Sequence, residues 1–557
     1  MSQCNILFAD LRIRPIVRRS VVFSLNPVRS GGSNDHVDEE FVHGTLAHKR
    51  YPPWVAFFCR SHSPRNALLR FDDEAPGRGR FAMSFEPIGI FTVTLGLYCL
   101  SLDQAATMKV FVALTLLGAA AAFVVGSSSV QPAHLFLLFV ALSIFRGTQK
   151  TTPLADGLHF GRPGFWLGCL VLYGGLSAYF LPRLFADATM IVPLGVADRP
   201  LTSGVVSLAP VSSNLTQTVY LIADLACFLL VTAIGSTTQG FRAIISGLIA
   251  YTALNIVFAA LDVVTGAIGA QDMLQFMRNA QYVFHDNDKI NGMKRIVGSW
   301  PEASAFAGTT LGAFGFTSTL WLCGRSSRWT GALALTSFAL IILSTSSGGL
   351  VAAPVCLAIF YVTAVIRSGT SHGSANSSAV VIFAPLVAVA VGLAVVLQTD
   401  IFNSIYDYID MAILSKSTSA SGMERGAWNT HGMQNFFDTY GIGVGLGTAR
   451  TSSFLVAVLS NVGIPGAVFY LLFIATALGP SGAMARSFTA DVQLSARNGC
   501  LCLLTGSFIV GPTVDLGLLF FILAGLAASR PTSTADAPAP FLQLSEQNRL
   551  STRWGTS

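Results

Sequence analysis

The stretch GALALTSFALIILSTSSGGLVAAPVCLAIFYVTAVI (331–366) contains no Asp, Glu, Lys or Arg. A helix needs roughly 20 consecutive apolar residues to cross a bilayer, and this run exceeds that length. Its Leu, Ala, Val and Phe do not alternate with polar residues as the strands of a membrane barrel would, so the run reads as helix. Residues 379–398 are equally free of charge, and 107–145 carry only Lys109 and His134. Over all 557 residues 52% are apolar and 11% charged, whereas soluble domains carry about 25% charged residues. The expected fold class is all-α, a polytopic membrane protein.

Working outward from this run, apolar segments place spans near 87–102, 107–126, 131–146, 164–181, 217–236, 241–267, 302–323, 330–346, 349–366, 379–398, 452–476 and a final region 498–529. The last is one long helix or two short ones broken at Gly511-Pro512, so about 12–13 transmembrane helices are expected. Basic residues in short loops set the orientation. Arg146, Lys150 and Arg162 share one loop and Arg325 and Arg328 another, while Arg242, Arg367, Arg486 and Arg497 fall in loops of the same parity. With these in the cytoplasm, the three longer polar segments 182–215, 268–300 and 399–451 lie together on the opposite side.

The net charge of +6 comes mostly from outside this transmembrane domain (83–529): residues 1–82 hold 12 Lys+Arg against 8 Asp+Glu. Those arginines are scattered among prolines with no basic helix or zinc pattern, which argues against nucleic-acid binding. The segment reads as a weakly basic disordered tail, and 530–557 as a polar C-terminal tail. No apolar region of signal-peptide size precedes Met83. Three spans before Arg146 would put the basic tail outside, where it is hard to export. Either one early span is miscounted, or 1–82 is not native and the chain starts at Met83. The nine cysteines lie in or beside apolar spans, except Cys4 and Cys59 in the tail. Cys500 and Cys502 have no matching pair or nearby His, so they read as small packing residues and no metal site is expected.

Three clusters carry candidate chemistry. In RIVGSWPEASAF (295–306), Lys294 and Arg295 precede a span and Glu302 falls in its first turn, with Pro301 at the first helical position. Glu302 either complements the helix N-terminus or serves as a base while Arg295 grips a phosphate. In SGMERGAWNTHGMQNFFDTYG (421–441), the spacing of Ala427, Trp428, Met433, Phe436 and Phe437 predicts an amphipathic helix on the membrane face. Its titratable members are Glu424, Arg425, His431 and Asp438, and a lone histidine is more often hydrogen-bonded than catalytic. In TYGIGVGLGTARTSS (439–453), the glycines Gly441, Gly443, Gly445 and Gly447 lead to Arg450 and an apolar run. It lacks the βαβ context of a dinucleotide fingerprint. Glycine amides can form an anion-binding concavity, with Thr451, Ser452 or Ser453 capping the next helix and Arg450 adding a bidentate grip on phosphate. The alternative is a flexible loop with an interfacial arginine. Asp224, Asn255 and Asp262 lie within spans and Asp515 near the last one. They form a proton or ion path, or hydrogen-bond between helices, and no charge-paired series favours a proton-driven pump.

The combination of R-x-x-G-x-x-x-E (Arg295, Gly298, Glu302), the junction STSSGG (344–349), and G-x-G-x-G-x-x-R-x-S-S followed by N-x-G-x-x-G (Asn461, Gly463, Gly466) resembles the O-antigen ligase and Wzy-type polysaccharide polymerase superfamily. The resemblance covers roughly 87–529, with its specific motifs in 295–306 and 421–466. It implies a GT-C-like helical bundle with a large periplasmic loop in a bacterial inner membrane. The implied enzyme is a metal-independent glycosyltransferase without cofactor, acting on an undecaprenyl-diphosphate-linked glycan. Further implied partners are the lipid bilayer, a chain-length regulator and export proteins. Arginines stabilise the leaving diphosphate in this family, a role that would fall to Arg295, Arg425 and Arg450, with Gly443, Gly445, Gly447, Ser452 and Ser453 lining the diphosphate or glycan. Ligases of the family carry a histidine shortly after the glycine motif, and here TSSFLVAVL has none. The arginine often seen after the serine of the STSSGG junction is also missing. These departures favour a polymerase of exopolysaccharide, capsule or O-antigen, with Glu302 or His431 as base. The alternatives are a ligase that transfers polymer to lipid A–core, and a transporter of polysaccharide or lipid-linked oligosaccharide.

Overall fold

The computed structural model describes residues 83–531 apart from 126–127, 147–151, 198, 200–203, 281–288, 291–292, 370–373 and 481–485. The expectations for 1–82 and for nearly all of 530–557 lie outside the described residues. Helices dominate. In chain order they are α1 (Pro87–Ser101), α2 (Gln104–Leu114), α3 (Pro132–Arg146), the short α4 (Thr152–Gly157), α5 (Pro163–Leu184), α6 (Ser213–Gly235) and α7 (Thr238–Ala267). Then follow α8 (Ala303–Leu322), α9 (Ser327–Leu343), α10 (Ser347–Ser368), α11 (Ala375–Leu397), α12 (Thr399–Ala412), α13 (Ala420–Asp438), α14 (Phe454–Ala477), α15 (Phe488–Ile509) and α16 (Leu518–Ala528). Six of them, α5, α6, α7, α10, α11 and α14, are long and apolar enough to cross a membrane. The chain has the architecture of a multi-pass helical membrane protein.

Each apolar run contains a helix, but the second run is corrected. The expected span 107–126 ends as helix at Leu114, and 11 residues rise only about 16 Å. Beyond it the backbone is drawn to other partners. Ala119 N–H donates to Ser299 O, Ala121 N–H donates to Asn279 Oδ1, and Ala122 accepts from Glu86 N–H. A small antiparallel sheet of β1 (Met83–Phe85), β2 (Phe123–Val125) and β3 (Ser128–Val130) completes this corner. The last region resolves into two helices, α15 and α16, separated at 510–517.

The centre of the bundle is α8, buried along nearly its whole length and packed most extensively against α15 and α9. Small residues allow the close approach, as is usual between helices in lipid. A Cβ on Gly315 would lie 2.7 Å from both Asn498 O and Cys502 Sγ, and one on Gly312 2.9 Å from Leu503. At the periphery α11 buries only Ser377. One end of the bundle is tied by Asp491, in the first turn of α15 and almost fully buried. It accepts from Arg325 Nε at 2.9 Å and Arg367 Nη1 at 2.8 Å, and Arg486 donates to Arg367 O. Three arginines that the loop-charge pattern assigned to one side therefore meet there.

Because the α8–α15 contact is set by missing side chains, Gly315→Leu is expected to lower the melting temperature of the detergent-solubilised protein by several degrees. Gly392→Leu on α11, where a Cβ meets nothing within 4 Å, should leave it unchanged.

Candidate functional site: an arginine face built on a broken helix

The segment that organises the site is α14. It is interrupted at Gly463, whose φ of 60° and ψ of −160° leave the helical region, with Pro465 just beyond. A break of this kind frees backbone groups that must find partners inside the protein. The glycine run supplies them. Val444 N–H donates to Ser460 O, Gly445 N–H to Asn461 O, and Gly441 O accepts from Ile464 N–H, at 2.8 to 2.9 Å. Gly443 and Gly445 sit at φ of 92° and 103° and touch backbone: a Cβ on Gly443 would lie 2.8 Å from Asn461 O, and one on Gly445 2.7 Å from Ser177 O. Gly447 (φ 76°) lies equally close to Ser213 O of α6. The Asn461 side chain closes the turn by accepting from Ala449 N–H and donating to Ala449 O, both at 3.0 Å.

This geometry corrects the expectation of an amide cradle for diphosphate at Gly443 and Gly445, whose amides are taken, and buries Gly447 against α6. These glycines are buried, Gly443 N–H goes to Thr439 Oγ1 and Gly445 N–H to Asn461 O. Ser452 and Ser453 depart in the same way. Both their amides donate to Asn429 Oδ1, at 2.8 and 3.2 Å, and Ser453 Oγ donates to Phe508 O. The two amides that lead into α14 are thus occupied by a side chain of α13.

What the glycine run does place is Arg450. Its N–H donates to Val192 O, next to a bridge between Pro193 and Ala449, so loop 182–215 and loop 399–451 are knitted together. The Arg450 side chain is exposed and stacks over the ring of Trp428 at 4.9 Å. Trp428 lies on α13, the amphipathic helix expected from the sequence. That helix packs along α14 and is pinned by Thr189, whose hydroxyl donates to Asp438 Oδ2 at 2.6 Å. One turn before Trp428 on the same helix face, Arg425 reaches Glu302, with Nη2 to Oε2 at 3.8 Å.

Glu302 is the residue that precedes α8 and not part of its first turn, since the helix begins at Ala303. Its carboxylate makes no cap bond to the helix; one oxygen accepts from Ser304 Oγ and the other faces Arg425. Both side chains of the pair are about one-third exposed (31% and 33%). A pair so open to solvent contributes about 0–1 kcal/mol and is readily displaced by a stronger anion. His431 lies half-buried on α13 with its Nδ1 inaccessible and unbonded. The structure thus joins Glu302, Arg425 and Arg450 through α13.

Arg295 sits on a segment held by a cluster that the sequence reading did not assemble. Asp262, buried near the end of α7, accepts from Arg278 Nη2 at 2.8 Å, Lys294 Nζ at 2.7 Å, and the amides of Val297 and Gly298 at 2.9 and 3.2 Å. Arg278 also donates to Gly298 O. Arg295, half-buried, lies between Lys294 and the two amides so fixed, and Glu302 follows on the same stretch. The available signal was the cost of a carboxylate inside an apolar run, which demands a partner. STSSGG (344–349) is the buried turn between α9 and α10, where Ser346 Oγ caps Gly349 N–H.

Removing one member of a buried ion cluster costs about 3–5 kcal/mol. Asp262→Ala is therefore expected to destabilise the protein on that scale, read as a large fall in melting temperature. Glu302→Gln, at a partly exposed pair, should change stability by less than about 1 kcal/mol. No protein-family model matches the chain, and no curated protein matches it in sequence.

Proposed function

We propose that the protein is a membrane glycosyltransferase that polymerises undecaprenyl-diphosphate-linked oligosaccharide units on the periplasmic face of a bacterial inner membrane. The observation that carries this reading is the arginine face itself. Two guanidinium groups are open to solvent here: Arg425 on α13, and Arg450, which stacks on Trp428 one helical turn after Arg425; among the described residues neither is locked in a buried ion pair. Arginine offers bidentate donors suited to phosphate oxygens. A GT-C-like bundle of 12–13 crossings, with the product passed to a chain-length regulator and export proteins, belongs to the same reading.

The reaction follows from the pairing at Glu302. A lipid diphosphate competes for Arg425 and releases the carboxylate. The acceptor hydroxyl then attacks the anomeric carbon of the donor glycan. The bond from that carbon to the phosphate oxygen breaks, and its electron pair leaves with undecaprenyl diphosphate. Charge develops on that oxygen, where fixed arginines stabilise it most. The hydroxyl proton passes to Glu302, acting as general base. Trp428 holds the Arg450 guanidinium in place by its ring face, an interaction worth about 0.5–1 kcal/mol at an exposed site.

The test is glycan size in a deletion strain complemented with variants that reach the membrane in normal amount. Arg425→Ala and Arg450→Ala are expected to leave single repeat units in place of long polymer, and Glu302→Gln to slow polymerisation by about 10²–10⁴-fold as for loss of a general base. Long polymer that stays on its lipid carrier would point to a ligase instead. Normal polymer in all three strains would reject the mechanism.

A further inference from the structure

One ionisable side chain in the core has no ordinary partner among the described residues. Asp224, midway along α6, is completely buried, and neither of its carboxylate oxygens accepts a hydrogen bond from a donor among the described residues. The group that faces it is another carboxyl. Asp515, on the connection between α15 and α16, comes up beside it: Cys227 Sγ, one turn after Asp224 on α6, lies 4.0 Å from Leu518 O, three residues after Asp515, and the two carboxyl groups interact. Among the described residues no Lys or Arg forms an ion pair with either acid.

The surroundings are polar but equally unsatisfied. Tyr470 of α14 is 2% exposed, and its hydroxyl has no partner among the described residues. The His134 ring of α3 packs on Tyr220 at 4.8 Å, and both its nitrogens are inaccessible and without a partner among the described residues. Cys227 follows Asp224 on α6 and is fully buried. Of the helices packed against α6, α16 contributes no titratable side chain (LLFFILAGLAA).

An ionised carboxylate can only accept hydrogen bonds. Two carboxyl groups that meet in a dry interior therefore bond to one another only when one of them carries a proton, and both cannot ionise at that distance without a large cost. We propose that Asp224 and Asp515 hold one proton between them, forming a proton-binding site inside the bundle. Asp515 Oδ1 already accepts from Gly517 N–H at 2.6 Å, whereas no donor among the described residues reaches Asp224, so the proton is assigned to Asp224, which donates to Asp515. Asp515 is only half-buried, and its connection is tied to the arginine face: Gly511 N–H donates to Ser452 O, and Ser453 Oγ to Phe508 O. The proton exchanges with water on that face through Asp515. This site is independent of what the arginines bind.

Infrared spectroscopy of the full chain in lipid nanodiscs tests the assignment through the carbonyl stretch of protonated carboxyl groups. Near neutral pH the wild-type protein is expected to show one such band. Asp224→Asn should abolish it, and Asp515→Asn should shift it, because the acceptor of its hydrogen bond changes from a carboxylate to an amide. If Asp224→Asn does not accumulate as folded protein, the Asp515→Asn shift decides alone. Absence of the band in the wild type, or a band untouched by both substitutions, overturns the proposal. A band that vanishes on titration with sodium chloride, but not with a bulky organic cation salt, overturns it in favour of a sodium site.

Discussion

A helix broken inside a membrane domain leaves N–H and C=O groups that lipid cannot satisfy, and the arrangement around α14 follows from meeting that demand at Gly463. The chain at 441–445 threads against the break because only glycines can lie against another backbone there at positive φ. Once threaded, the segment is clamped by Asn461 on one side and by Asn214, which donates to Leu446 O at 2.7 Å, on the other. Loop 182–215 and helix α13 close over it. The exposed arginines stand on top of this layered assembly.

The polar groups of the protein divide by burial, and the division separates scaffold from chemistry. Asp262 and Asp491 are buried, each accepting from two cations, and each ties loops distant in sequence. Such clusters are costly to break and poorly placed to meet a ligand. Glu302, Arg425 and Arg450 are the reverse: loosely paired and open to solvent, Glu302 following the stretch that Asp262 holds, and the arginines carried by α13 and the glycine run. Precision at the surface comes from rigidity beneath it.

Much of the helical architecture was legible because charge-free runs such as 331–366 have few other structures open to them. The early end of α2 was not legible, since Ala119 and Ala121 are claimed by Ser299 and Asn279, far along the chain. The amphipathic pattern of α13 was visible, and so was its burden of Arg425 and His431. The glycine run was visible but misread, because an anion nest and a backbone plug require the same residue type at the same spacing. Only the partner atoms distinguish them. Asp262 stood out as a carboxylate in an apolar helix, yet nothing local named Arg278, which lies in a polar loop 16 residues away.

The plug also dictates when the arginine face can come into being. Its hydrogen bonds join Ser177 to Leu446 across 269 positions and Asn214 to Leu446 across 232. Chain emerging in order from the ribosome must hold α5 and α6 in place through all of this length before their partner arrives. Contacts of such long range form late in folding. The face is thus among the late parts of the molecule to assemble, and a chain stalled or truncated anywhere before α14 has a bundle without a site.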